Sequence, residues 1–273
     1  FLKEQGFKST AERLKSNNFI SDKNQIKKNP NKIAPIYKLV LTKKDFETII
    51  KNIEKKGLCA IDTETNSLKI EDAKLAGISV CFSDNISYYI PINHISVDGS
   101  KKIEGQLEEK YVINQISKIC QNKSILKIGQ NIKYDIRILK KYGVIFNSIA
   151  DTMLISYSID NGIYKHNLDD LSYNHLNHST IKYKDVVGTG KNEITFDKVK
   201  MDDAVNYAAE DSLLTYRLFQ ILYPRLIKER ANFVYNNIDL PLVEVLSKIE
   251  ENGIKVNKKF LISLSKEFED ESK

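Results

Sequence analysis

Four acidic residues, spread over three segments of this 273-residue chain, are of a type and spacing that could do chemistry together. Asp62 and Glu64 stand in LCAIDTETNSL, Asp135 in GQNIKYDIRIL, and Asp211 in VNYAAEDSLLTY, four residues after Tyr207. Carboxylates are hard oxygen ligands for divalent cations. A pair of such ions can activate a water and stabilise the leaving oxygen of a phosphodiester. Taken singly, each motif has a plainer explanation. Asp62-Thr63-Glu64 could belong to a capped turn with Thr65, Asn66 and Ser67, and an Asp on a helix is ordinarily a solvated charge. Their occurrence together points to one metal-binding, hydrolytic site.

The elements that must position these residues follow from the pattern. Residues 58–61 are apolar and run directly into the acids, so 58–63 reads as a buried strand that ends in carboxylates. Side chains alternate along a strand, which puts Asp62 and Glu64 on the same face. Two carboxylates there are costly unless a cation neutralises them. Further strands are predicted at 75–82 and 87–92, joined by a turn at Asp84-Asn85, and then at 125–128 and about 144–149. Helices are predicted at 44–56, 106–122, 131–142, 151–159, 167–176, 201–230 and 232–252, with Gly57, Gly143 and Gly253 as stops. Tyr207 and Asp211 therefore share one helix face, and Asp135 lies on a helix that directly follows a strand. Three strands followed by helix–strand–helix units give an α/β fold, a mixed sheet with helices on its faces. Residues 183–192 read as a loop. Their Gly188-Thr189-Gly190-Lys191 lacks the spacing of a phosphate-binding loop, and Asn192 follows the lysine.

The bulk properties narrow the class. No apolar run has the length of a membrane span. A net charge of +6 suits a polyanionic partner, although lysine is abundant throughout. Cys59, Cys81 and Cys120 are well separated and read as buried free thiols of a reducing cytoplasm. His175 and His178 have no cysteines near them and read as a surface accident, not a zinc site. The chain begins at Phe1 without a secretory leader and reads as a fragment of a longer protein. Residues 1 to about 20 are predicted to form an amphipathic helix, and SDKNQIKKNPNK after it a linker.

The acids and Tyr207 resemble the three motifs of the DEDD proofreading exonucleases, D-x-E, N-x-x-x-D and Y-x-x-x-D. Here these read Asp62 to Glu64, Asn131 to Asp135 and Tyr207 to Asp211. The tyrosine is similar to the DEDDy branch. LCAIDTETNSL, YIPINH, LKIGQNIKYDIRILKKYG, ADTMLISYSID, GTGKNEITF and YAAEDSLLTYRL resemble the bacterial DNA polymerase I family. NIDLPLVEVLSKIEENGIKV resembles the start of its polymerase domain, and FLKEQGFKSTAERL the end of its 5′-nuclease domain.

The resemblance implies an RNase H-like fold with helical extensions at both ends. It divides the chain into 1–35 (end of the preceding nuclease region and linker), 36–230 (3′-5′ exonuclease) and 231–273 (start of the polymerase domain). It implies two divalent ions, Mg²⁺ or Mn²⁺, about 4 Å apart. Asp62 would be shared between them, Glu64 and Asp211 would complete the tighter site, and Asp135 would hold the second ion mainly through waters. Tyr207 would orient the attacking water. Leu68 matches a wedge between terminal bases, and Gln130, Asn131 and Tyr134 match residues lining a single-strand groove. Lys165 and His166 match a basic pair, often Arg at the first position in relatives, and Tyr183 matches a base-stacking aromatic. The implied partners are the single-stranded 3′ end of DNA and the polymerase domain of the same parent chain, with the protein a monomer in the bacterial cytoplasm, drawn to the nucleoid through DNA. Two other readings stay open on the residues alone: an exoribonuclease of the RNase D type, and a non-catalytic module that holds single-stranded DNA.

Overall fold

The computed structural model describes residues 34–273. The expected N-terminal helix and linker lie outside the described residues. Six strands form one mixed sheet: β1 (Ile36–Leu39), β2 (Leu58–Thr65), β3 (Leu75–Cys81), β4 (Ile86–Pro91), β5 (Leu126–Gly129) and β6 (Ile149–Asp151), in the spatial order β1-β4-β3-β2-β5-β6. β2, β3 and β4 are antiparallel neighbours, whereas β5 and β6 run parallel to β2. The carboxyl ends of β2, β5 and β6 therefore lie along one edge of the sheet.

Helices cover both faces, as the sequence pattern predicts. On one face, Phe46, Ile49 and Ile53 of α1 (Lys43–Lys56) and Val112, Ile116 and Ile119 of α2 (Glu109–Gln121) pack on Cys59, Ile61, Ile78 and Val80. Ile138 and Leu139 of α3 (Lys133–Lys140) join that cluster. On the other face, Leu213, Leu218 and Leu222 of α7 (Met201–Lys228) pack with Ile155 of α4 (Thr152–Asp160) on Ala60, Cys81, Ile128 and Ala150. Odd residues of β2 thus face one layer and even residues the other, the period-two alternation of a doubly covered strand. Burying these aliphatic side chains contributes roughly 1.5–3 kcal/mol each. The three cysteines are buried and free, as expected.

Several elements differ from the sequence expectation. β1 has no predicted counterpart: four residues with alternating exposure on an edge are too short for a pattern to register. The strand expected at about 144–149 is instead Ile149–Asp151, because Gly143 (φ 79°) and Ser148 (φ 50°) both turn the chain before it can join the sheet. The helix expected at 167–176 is α5 (Leu168–Leu171) followed by a π-helical turn (Ser172–Leu176). The expected loop at 183–192 opens with a short helix, α6 (Tyr183–Val187). After α7 come α8 (Asn232–Val234), a π turn, α9 (Leu240–Asn252) and α10 (Lys258–Glu271), which make a helical C-terminal extension. Among the described residues, no helix is long and apolar enough to cross a membrane.

Candidate active site

The alternation of β2 decides where its acids go. Ala60 faces α7, so Asp62 and Glu64 face α7 as well. Opposite them on β3 stand Ser79 and Gly77, whose small size leaves room at the carboxylates. Gly77 cannot be larger, since a Cβ there would lie 2.3 Å from the Tyr89 hydroxyl. α7 approaches closely because it turns Ala208, Ala209 and Ser212 inward, and Ser212 Oγ meets Ser87 Oγ of β4 at 2.7 Å. One oxygen each from Asp62, Glu64 and Asp211 consequently lie within 4.8 Å of one another.

The electrostatics of this group are unfavourable without a cation. Burial, then repulsion from neighbouring carboxylates, holds Asp62 and Glu64 well above the usual carboxylate range. Asp211 is pushed up to about 8 by burial, with the charge of Glu210 behind it. Glu64 Oε1 is buried and has no hydrogen-bond partner. A buried, unpartnered carboxylate oxygen beside two more carboxylates fits a hard divalent cation. Tyr207 lies one helical turn before Asp211 on the same helix face, its ring set against Tyr183 and Phe196. Burial and the acids around it drive the phenol pKa far up, so its hydroxyl remains a donor.

Asp135 stands apart from these three. It lies in the first turn of α3 and accepts the backbone N–H (2.8 Å) and the hydroxyl (2.7 Å) of Thr63, the residue between the two β2 acids. Burial pushes it up to about 7, against the lowering effect of those bonds. Its charge still raises Asp62 and Glu64.

The other expected residues surround this group in different ways. Leu68 is 81% exposed in the loop after β2. Tyr134 braces that loop, its hydroxyl meeting Thr65 Oγ1 and the Ser67 carbonyl. The Gln130 amide donates to the His166 carbonyl (2.8 Å) and accepts from Thr152 Oγ1 (2.6 Å). The His166 ring meets Ser156 Oγ at 2.9 Å and packs edge-on against Tyr157. Asn131 is exposed, with a left-handed φ of 62°. Lys165 is exposed. Tyr183, 37% exposed, stacks on Phe196 and sets its edge against Tyr207 at 5.9 Å between centroids.

Sequence reasoning missed three buried acids, of which Asp160 is paired with Arg225. Asp151 accepts four backbone amides, from Asn131, Ile132, Met153 and Leu154. Glu210 accepts His178 Nε2 at 2.7 Å and the Ile181 N–H at 2.6 Å. His178 is thus no surface accident, and His175 points elsewhere, edge-on to Tyr164. The available signal for Glu210 was an acid on an otherwise apolar helix face, AAEDSLL.

A family model described as 3′-5′ exonuclease matches residues 37–227. DNA polymerase I of Rhizobium leguminosarum is 39% identical over 224 residues, 77% of this chain and 22% of that protein. DNA polymerase I of Pseudomonas aeruginosa is 35% identical over 236 residues, 85% of this chain and 25% of that protein. The chain therefore spans about a quarter of the length of these curated relatives. Among solved structures, the POL domain of Pol1 from M. smegmatis in complex with DNA primer-template and dNTP superposes with a TM-score of 0.62 at 17% identity, over 85% of this chain and 35% of that one. The mixed sheet and its flanking helices are of the RNase H-like kind.

Proposed function

The chain belongs to the 3′-5′ exonuclease family of DNA polymerase I, and from that premise we propose that it hydrolyses the 3′-terminal phosphodiesters of single-stranded or frayed DNA with two divalent ions. The observation that carries the reading is the carboxylate group itself: three acids with oxygens within 4.8 Å, one of them buried without a partner. Asp62, Glu64 and Asp211 would hold one ion, and Asp62 and Asp135 the second, with Mg²⁺ or Mn²⁺ as the natural candidates. Such ions, when bound, activate water and stabilise the leaving oxygen.

The chain's own residues supply orientation. Tyr207 stays protonated beside the acids, so its hydroxyl can hold the attacking water by a hydrogen bond. Leu68, largely in solvent on a braced loop, is placed to enter between terminal bases. Tyr183 offers a ring face for a base beside Tyr207. Gln130 and His166 would shape the groove through the bonds they make to each other, with Asn131, Tyr134 and Lys165 along it. Unpairing a terminal base costs energy that a mismatch reduces, so frayed ends are the better substrates.

We place this exonuclease as the proofreading module of a longer DNA-directed DNA polymerase, monomeric in the cytoplasm with DNA as its partner. Residues 36–230 would be the exonuclease, with 1–35 closing a preceding nuclease region and 231–273 opening the polymerase domain. Exposed Ile249, Phe260 and Phe268 on α9 and α10 support a further domain packed there. The test is degradation of a 5′-labelled single-stranded DNA with Mg²⁺, with Mn²⁺ and with EDTA, beside an RNA of the same sequence. Metal-dependent shortening from the 3′ end of DNA is expected. EDTA-resistant cleavage, digestion from the 5′ end, or a preference for RNA would overturn the reading.

A further inference from the structure

Glu210 directly precedes Asp211 on α7 but is turned about 100° around the helix. It is 4% exposed and points away from the carboxylate group, into the irregular segment between the π turn and α6. Both of its oxygens are used there, one by His178 Nε2 and one by the Ile181 N–H. The opposite side of the same segment is tied to Asp169 on α5 through Thr180 and Lys182. Immediately after these four anchored positions comes Tyr183, whose ring lies on Phe196 and Tyr207. A buried carboxylate with two short hydrogen bonds holds its partners more firmly than a neutral acceptor would.

We propose that Glu210 is a positioning residue for substrate binding: through His178 and Ile181 it sets the strap that presents Tyr183 to the terminal bases. Residues 177–182 have no regular structure of their own, and Tyr183 opens α6, which buried Val187 seats, so these bonds set how the chain enters the helix that carries the ring. Glu210 and Asp211 then divide one helical turn, Asp211 facing the cation site and Glu210 the base-binding ring. The inference rests on the exonuclease reading above, with Tyr183 as its base contact.

The test combines turnover with a signal that does not need turnover. Steady-state rates on single-stranded DNA with Mg²⁺ are compared for the wild type, Glu210→Ala, Glu210→Gln, Tyr183→Ala and the double variant Glu210→Ala/Tyr183→Ala. Loss of one stacked base predicts a KM raised about tenfold in Glu210→Ala with kcat within about threefold. Glu210→Gln, which keeps an acceptor for Ile181, should fall between it and the wild type. The double variant should be no worse than Tyr183→Ala alone, because both act through one ring. The chain contains no tryptophan, so Tyr183→Trp provides a single indole emitter, excited apart from the tyrosines. Adding Glu210→Ala should red-shift its emission and lower its anisotropy. A fall in kcat at unchanged KM, additive losses in the double variant, or an unmoved indole spectrum would each overturn the proposal. If Glu210→Ala does not fold, Glu210→Gln and His178→Ala carry the same comparisons with smaller expected changes. A wild type without any metal-dependent turnover would refute the exonuclease reading instead, and the fluorescence would still decide whether Glu210 sets the ring.

Discussion

Glu64 and Asp151 are both buried carboxylates, 7% and 1% exposed, at the carboxyl ends of β2 and β6. They lie on the same edge of the same sheet, yet their surroundings are opposite. Asp151 collects four backbone N–H groups and joins the turn before α3 to the start of α4. Glu64 keeps one oxygen with no donor at all and faces two more carboxylates. Asp211 and Glu210 repeat the contrast one residue apart. An acid that serves the fold is buried together with its donors. Glu64 is buried with an oxygen that has none, a cost that a bound cation would remove, whereas Asp135, proposed as a ligand of the second ion, keeps two donors from Thr63.

The largest effect that would break this contrast is on catalysis. Asp62→Ala should abolish measurable 3′-end cleavage while circular dichroism shows the fold retained. Near wild-type rates in that variant would refute the cation site.

Next come the two buried acids themselves, compared by chemical denaturation in EDTA. Asp151→Ala strips four amides of their acceptor, and at about 1–3 kcal/mol for a buried unsatisfied donor, partly relieved by water, it should cost at least about 3 kcal/mol. Glu64→Gln removes one member of a repelling group and should be neutral or stabilising by up to about 2 kcal/mol. Equal losses in both variants would erase the distinction.

Divalent metal sharpens the same point. An ion that binds only the folded state stabilises it by about 2.7 kcal/mol at a hundred times its Kd. Saturating Mn²⁺ should therefore raise the Tm of the wild type, and the increment should shrink in Asp62→Ala. An unchanged Tm would mean that no site is preformed.

A further effect is on pH dependence. In the folded protein Asp211 is pushed up to about 8, Asp135 to about 7 and Asp151 to about 6, all from 3.8. The folded state then binds more protons than the unfolded one, so stability is present at low pH and is lost as pH rises through these values. In EDTA the Tm should rise on acidification from pH 8 to 6. With Mn²⁺ bound, the share from Asp135 and Asp211 should disappear and that from Asp151 remain. A Tm that falls on acidification in EDTA would contradict the assignment.

Much of the site was legible because it depends on local periodicity. The alternation that puts Asp62 and Glu64 on one face, and the helical turn that puts Tyr207 beside Asp211, are properties of any strand or helix. They survive from pattern to structure unchanged. The apolar runs of β2, β3 and β5 were equally readable, whereas β1 and β6 were too short, and two left-handed residues displaced β6 by several positions.

The sequence by itself determined which face of its strand Asp62 and Glu64 share and that Tyr207 and Asp211 share one helix face. Only the tertiary structure decided the remainder: that Thr63 supplies the donors for Asp135, 72 residues away, that Asp151 gathers four backbone amides, and that Glu210 reaches back to His178. The reason is physical. A carboxylate's surroundings depend on its donors, backbone and side-chain groups of which many come from distant segments, and no single element's periodicity encodes them.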